Sequence, residues 1–172
     1  MKKLSNTVLG YLLLYSIIII HVTGCASRGT VTSAASDSTI RKAIVENDWQ
    51  FTANYVIPQG ARSRQTNDLY TVRFKEGKLI VALPYFGRAW GGAILNTQSP
   101  LNFTSADFTV NKENVGDAKW SIEIKPKDYS EVQSLNFSFF ENGSASLNVT
   151  LTNRSAISFN GYVAAGKGAK DN

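Results

Sequence analysis

Leu135-Asn136-Phe137-Ser138-Phe139, followed by Glu141-Asn142-Gly143-Ser144 and then Ala145, Leu147, Val149 and Leu151, decides the fold. Apolar residues recur at every second position on both sides of a short polar break, the period of a strand with one buried face. Asn-Gly tolerates the positive φ angles of a type I′ turn, so the break reads as a tight hairpin.

The same period extends outward in both directions. Trp120, Ile122 and Ile124 alternate until Pro126, and Phe108 and Val110 fit a strand near residues 106–112, with Phe103 opening another. Further upstream, Leu79, Val81 and Leu83 follow Tyr70, Val72 and Phe74 across a Glu76-Gly77 turn. Trp49, Phe51, Ala53, Tyr55 and Ile57 alternate until Pro58, and Pro58 to Asp68 is a polar loop. Downstream, Thr152-Asn153-Arg154 turns the chain into Ile157, Phe159 and Val163. Only Ile40, Ala43, Ile44 and Asn47 break the pattern; their spacing predicts a short amphipathic helix over about 38–47, with Asp37 or Ser38 as N-cap. The expectation is a mainly β domain: an antiparallel up-and-down sheet of about eight strands curled into a barrel or sandwich, with one short N-terminal helix. The three tryptophans read as core residues.

The chain begins differently. Met1-Lys2-Lys3 is basic, Val8 to Val22 is mostly apolar, and Val22-Thr23-Gly24-Cys25 closes the segment. That order resembles a bacterial lipoprotein signal peptide ending in a lipobox. The resemblance implies cleavage after Gly24, lipid on the Cys25 thiol and acylation of the new amino terminus. The apolar run of about 15 residues is short for a helix crossing a bilayer, which needs about 20. Acyl chains would replace it as the anchor. Residues 1–24 are then the signal peptide, 25–36 a flexible Ala/Ser/Thr/Gly tether, 37–165 one β-rich domain, and 166–172 a disordered tail. Ala26-Ser27-Arg28-Gly29 carries no aspartate and no acidic cluster, so by similarity the expected location is the outer membrane, facing the periplasm.

Cleavage would also remove Met1 and His21, the sole methionine and histidine, and Cys25 is the sole cysteine. Histidine-dependent nucleophilic catalysis and Cys/His metal sites are thereby excluded from a mature chain. The net charge of +5 falls to +3 without Lys2 and Lys3, and the cations are scattered apart from Arg62/Arg64 and Lys167/Lys170. A nucleic-acid partner is not expected. No cofactor or metal site is read in the chain, and an enzyme is disfavoured.

Two blocks exceed generic β pattern: Leu83-Pro84-Tyr85-Phe86-Gly87-Arg88-Ala89-Trp90, and Asn153-Arg154-Ser155-Ala156-Ile157-Ser158-Phe159-Asn160-Gly161. With Asn142-Gly143 they resemble the domain-of-unknown-function family 4251, typical of lipoproteins from Bacteroides-like bacteria, over roughly Arg41 to Val163. The resemblance implies a small secreted β domain with no assigned activity, cofactor or catalytic residue. The candidate binding residues are Tyr85, Arg88, Trp90 and Arg154. An arginine between aromatics can hold a carboxylate or phosphate while the rings stack on an apolar body. The competing reading makes Tyr85–Gly92 a bulge at a sheet corner and Asn153-Arg154 an ordinary hairpin turn.

Three functions follow. The first is a non-catalytic binding or adaptor module with an envelope-protein partner. The second is a lipocalin-like carrier of a small apolar ligand, which needs a cavity lined by Trp49, Tyr70, Trp90 and Trp120. The third is a carboxylate-based glycan hydrolase using acids such as Asp107, Glu113 and Glu123. Asp37-Ser38-Thr39 also resembles a short O-glycosylation motif of Bacteroides-like secreted proteins.

Overall fold

A computed structural model describes residues 33–90, 99–116 and 119–166, with backbone only for 33–37. The signal peptide, Cys25, most of the tether, Gly91, Gly92 and the tail from 167 lie outside the described residues. Helix α1 spans Ser33–Glu46. It is followed by β1 (Trp49–Pro58), β2 (Arg64–Gln65), β3 (Thr71–Lys75), β4 (Lys78–Ala82) and β5 (Asn102–Ser105). The second half holds β6 (Phe108–Asn114), β7 (Lys119–Pro126), β8 (Val132–Phe140), β9 (Ser144–Leu151) and β10 (Ile157–Ala165).

Nine strands form a nearly closed antiparallel barrel in the order β5-β4-β3-β1-β10-β9-β8-β7-β6, with β2 paired beside β1. Every step in that order is antiparallel. Nine strands cannot alternate direction around a ring, so β5 and β6, the two ends of the order, run the same way. They are also consecutive in the chain, separated only by Ala106 and Asp107. Together they act as one bent strand that pairs with β4 through its first part and with β7 through its second. The ring is therefore an eight-strand meander whose fourth member crosses the seam. The bend shifts the inward parity by one, from Phe103 and Ser105 to Phe108, Val110 and Lys112, as a bulge does.

Asp128, in the loop after β7, fastens the bend. Its carboxylate accepts from the Ser105 hydroxyl and from the backbone N–H groups of Ala106 (2.8 Å) and Asp107 (3.2 Å). Lys127 N–H donates back to the Asp107 carbonyl at 2.8 Å. Carboxylate oxygens suit this task because they accept several bonds at once.

The interior is filled. Trp49, Phe51, Phe137, Phe139 and Phe159 are fully buried. Trp49 meets Phe139 edge-on at 5.0 Å, Phe137 at 5.1 Å and Phe74 at 5.8 Å, the preferred geometry for aromatic quadrupoles. Phe74 on β3 reaches Phe108 on β6 at 5.3 Å, a ring contact between strands that share no ladder.

Helix α1 packs on β1 and β10 with Ile40, Ala43 and Ile44 buried. It ends on Asn47 at φ 58°, while Asp48 N–H bonds the Ala43 carbonyl and Asn47 N–H that of Ile44. This is a Schellman end with asparagine in the left-handed position. Lys112 of β6 adds a cation there, its ammonium donating to the carbonyls of Ile44 and Val45 and to Asn47 Oδ1. Burial lowers the Lys112 pKa.

Four local expectations are corrected. The helix starts at Ser33, within the stretch read as tether, so neither Asp37 nor Ser38 caps it. Tyr55 and Ile57 face outward, because an extra residue at Asn54 shifts the β1–β10 register and turns Val56 inward. The Asn142-Gly143 hairpin is not type I′: only Gly143 has positive φ, and Gly143 N–H bonds the Phe140 carbonyl, giving an i→i+3 turn closed by a left-handed glycine. Both residues of the Glu76-Gly77 turn have positive φ instead (52° and 72°). Trp90 is half exposed and belongs to no core.

Gly161 sits where β10 crosses β1 so closely that a Cβ would lie 1.8 Å from the Thr52 carbonyl oxygen. Gly161→Ala should cost at least about 2 kcal/mol, since backbone rather than a mobile side chain must yield; the urea midpoint reads this directly. Asp128 makes a pH-dependent prediction. Its hydrogen bonds, that from Ser105 foremost, hold its pKa below the usual carboxylate value. A depressed folded pKa stabilises above the unfolded value of about 3.9 and loses that contribution as pH falls through the folded one. Asp128→Asn should therefore melt below the wild type at pH 7, and the gap should narrow as pH drops below about 4.

Candidate functional site

At the barrel end opposite the turn of β8 and β9, four connections meet: 59–70, the described parts 83–90 and 99–101 of the next, 127–131 and 152–156. Two of these hold all four candidate residues. Leu83 continues the β4–β5 ladder, its N–H bonding the Leu101 carbonyl, and Pro84 is buried. The chain then runs alongside Asn153–Ser155. Ala89 and Arg154 form an antiparallel bridge, Ser155 N–H bonds the Arg88 carbonyl at 2.9 Å, and Trp90 N–H bonds the Asn153 carbonyl at 3.1 Å.

Tyr85 locks this pairing. Its hydroxyl lies 2.9 Å from the carbonyl oxygens of both Arg88 and Ser155, and 3.1 Å from Ser155 Oγ. Ser155 Oγ in turn accepts the Arg88 N–H at 3.0 Å. One phenolic proton serves the carbonyl pair, and the Ser155 hydroxyl donates to the phenol oxygen, so the cluster is internally satisfied. Gly87 allows the tuck, because a Cβ there would stand 2.2 Å from the Tyr85 hydroxyl.

Arg154 is buried, 8% exposed, with its guanidinium carbon 5.4 Å from the Tyr85 ring centroid and Nε 3.7 Å from a Glu131 carboxylate oxygen. A buried cation held over an aromatic face and beside an acid is structural. The adjacent Tyr129 stacks on Phe103 at 4.1 Å, and burial, then the Glu131 charge, raises its pKa.

The four candidates therefore meet but divide in role. Tyr85 and Arg154 spend their polar groups inside the protein. Arg88 and Trp90 face solvent. Sequence reading placed Phe86 beside the exposed pair and missed Arg64. Phe86, 41% exposed, shares their side of the segment, and Arg64 of β2 lies over it at 5.0 Å. The alternation Phe86, Arg88, Trp90 was available in the sequence; the approach of Arg64, from a separate loop, was not.

The other sequence readings separate in space. Trp49 is sealed in the core, Tyr70 and Trp120 are half-buried, and Trp90 lies at the surface, so these four residues line no common cavity. Three depressions lined by described residues lie on the outside: about 480 Å³ beside α1, about 370 Å³ over the Ser/Asn-rich outer face of β7–β10, and about 280 Å³ beside Pro58. Glu123 pairs with Lys125 at 2.9 Å on the outer wall, Asp107 faces Lys127 at 3.7 Å at the bend, and Glu113 is exposed on β6. Among the described residues no group of three or more His, Cys, Asp or Glu side chains is placed to hold a metal ion.

A family model described as a domain of unknown function, DUF4251, matches residues 32–163. The chain belongs to the DUF4251 family. A crystal structure of a DUF4251 family protein from Bacteroides eggerthii is similar in fold, with a TM-score of 0.50 at 12% identity, covering 77% of this chain and 89% of that one. No curated protein matches. The two blocks on which the family resemblance rests are the two segments that Tyr85 and Ser155 join.

Tyr85→Phe should cost about 1–3 kcal/mol, because it strips the phenol from a cluster of otherwise buried acceptors. Hydrogen exchange should show the loss concentrated in 85–90 and 153–155, with the β8–β9 core unchanged.

Proposed function

We propose that this DUF4251 protein is a non-catalytic binding or adaptor module, anchored by lipid on Cys25 to the outer membrane and facing the periplasm. The observation that carries the binding reading is the filled barrel. The space in which a carrier would hold an apolar ligand is occupied by Trp49, Phe51, Phe137, Phe139 and Phe159, all without solvent exposure. Recognition then belongs to the outer surface, where Phe86, Trp90 and Leu69 (77% exposed) stand exposed on connections at the end opposite the β8–β9 turn, with Arg64 over Phe86. Scattered exposed apolar residues are normal, but large ones beside cations on a rigid loop are the usual makings of an interaction surface.

The anchoring reading rests on the Met1–Cys25 pattern. No helix among the described residues is long and apolar enough to cross a membrane. Lipid attachment is tested by metabolic labelling with an alkyne fatty acid in the source bacterium. Label should follow the wild-type chain into the membrane fraction, and Cys25→Ser should abolish both label and sedimentation. A labelled Cys25→Ser variant would defeat the assignment. Native mass spectrometry of the delipidated protein tests the binding reading, which expects a bare barrel free of small apolar ligand; added mass lost on denaturation would favour the carrier.

A further inference from the structure

Four strands that adjoin in the ring, β1, β10, β9 and β8, contain no Asp, Glu, Lys or Arg, in a chain that is 18% charged. Exposed charges stand instead on β3, β4, β6 and β7, among them Arg73, Lys78, Glu113 and Lys125. Two cross-strand rows floor the uncharged outer wall. Ser121, Ser138, Ser146 and Asn160 pair in register, and their row ends on Tyr55 of β1. Asn136, Asn148 and Ser158 form the next row, which ends on Ile57. These residues line the depression of about 370 Å³, which meets the one of about 280 Å³ at Asn148 and Ser158. Asn148 donates to Ser158 Oγ and Asn136 to Ser134 Oγ, each at 2.9 Å. The side chains of Ser121, Ser138, Ser146 and Asn160 make no hydrogen bond among the described residues. Serine and asparagine are poor strand formers, because their side chains compete for backbone hydrogen bonds. A face built from them against strand propensity carries a local cost of the kind found at functional sites.

We infer that this face binds a neutral glycan bearing acetamido groups, laid across the strands from β7 to β1. The inference rests on the reading that the filled barrel recognises with its outside, and it names a separate face and a class of partner. The floor has no cation for a nucleic acid or an anionic membrane, and no large apolar anchor at its centre for a protein. It offers hydroxyls and amides, each both donor and acceptor, as sugar hydroxyls are. The amides of Asn136, Asn148 and Asn160 present a donor beside an acceptor, the pair with which an acetamido group makes two bonds at once. Tyr55 (48% exposed) and Tyr162 (39% exposed) stand at one side of the floor. Their rings suit the C–H face of a pyranose, and their hydroxyls suit its rim. The first row crosses four strand spacings of about 4.8 Å, so the floor is about 19 Å long and suits an oligosaccharide rather than one sugar.

The test uses the full chain and two probes, the tetrasaccharides of β-1,4-linked N-acetylglucosamine and of β-1,4-linked glucose. Calorimetry should show the acetamido tetrasaccharide bound at least fivefold more tightly. Asn148→Ala and Tyr55→Ala change exposed side chains and should keep the wild-type melting temperature, yet each should weaken binding at least threefold. Ser146→Lys should abolish binding by placing a charge on the floor. Equal binding of the two sugars, no binding of either, or binding that these three variants leave unchanged would overturn the assignment. Photocrosslinking in cells separates this failure from that of the adaptor reading. A diazirine side chain at position 160 should give a glycan adduct. Trimming of that adduct by muramidase identifies the cell-wall glycan, and resistance identifies another acetamido glycan; both agree with the proposal. Adducts to protein alone, from position 160 or position 90, overturn the glycan but keep an adaptor, and adducts from neither position overturn both.

Discussion

Ring closure is the constraint on which the rest of this structure depends. A meander of antiparallel strands can return to its start only if an even number complete the circuit, and here the circuit is completed by one strand that changes neighbours midway. β5 serves β4, β6 serves β7, and two residues between them carry the chain across. The ladder lost at the crossing is made up by Asp128, whose carboxylate takes the N–H groups that no strand can take. Once the ring is closed its interior has a fixed bore, and buried aromatic residues of β1, β3 and β8 pack against one another within it.

Much of this was legible in the sequence because period two is a strong signal where one face is buried. The strands around Phe137, Leu147 and Ile122 lie where alternation places them, with the expected residues inward. The failures all involve a single extra residue or a single backbone angle. Asn54 is one residue too many in β1, and that is enough to send Tyr55 and Ile57 outward; composition carries no mark of a bulge. Asn142-Gly143 carries the residues of one turn type and adopts another, since the loop length is set by which residues pair across it. Glu76 accepts a left-handed angle that its side chain does not favour because the two-residue turn joining β3 to β4 requires it.

At the candidate site, sequence found the segments and the structure sorted the residues. Tyr85 and Arg154 are conspicuous as residue types and are consumed in holding two loops together. Arg88 and Trp90 are left over by the same arrangement, and their freedom is a product of the clasp beneath them. Arg64 and Glu131 belong to other loops, and the fold alone brings them near. A residue's chemical capacity can be read from its type, whereas its availability depends on partners distant in the chain.

Lys112 carries a mechanical consequence. The end of α1 is joined covalently to β1 through Asn47 and Asp48, and held by the Lys112 ammonium to β6, which shares no ladder with β1. Tension arriving along the chain from its amino-terminal side must pass through this helix. It would be divided between two separate strands of the barrel instead of peeling β1 from its neighbours one hydrogen bond at a time. The helix works as a crossbar, spreading a pull at one point over the whole rim.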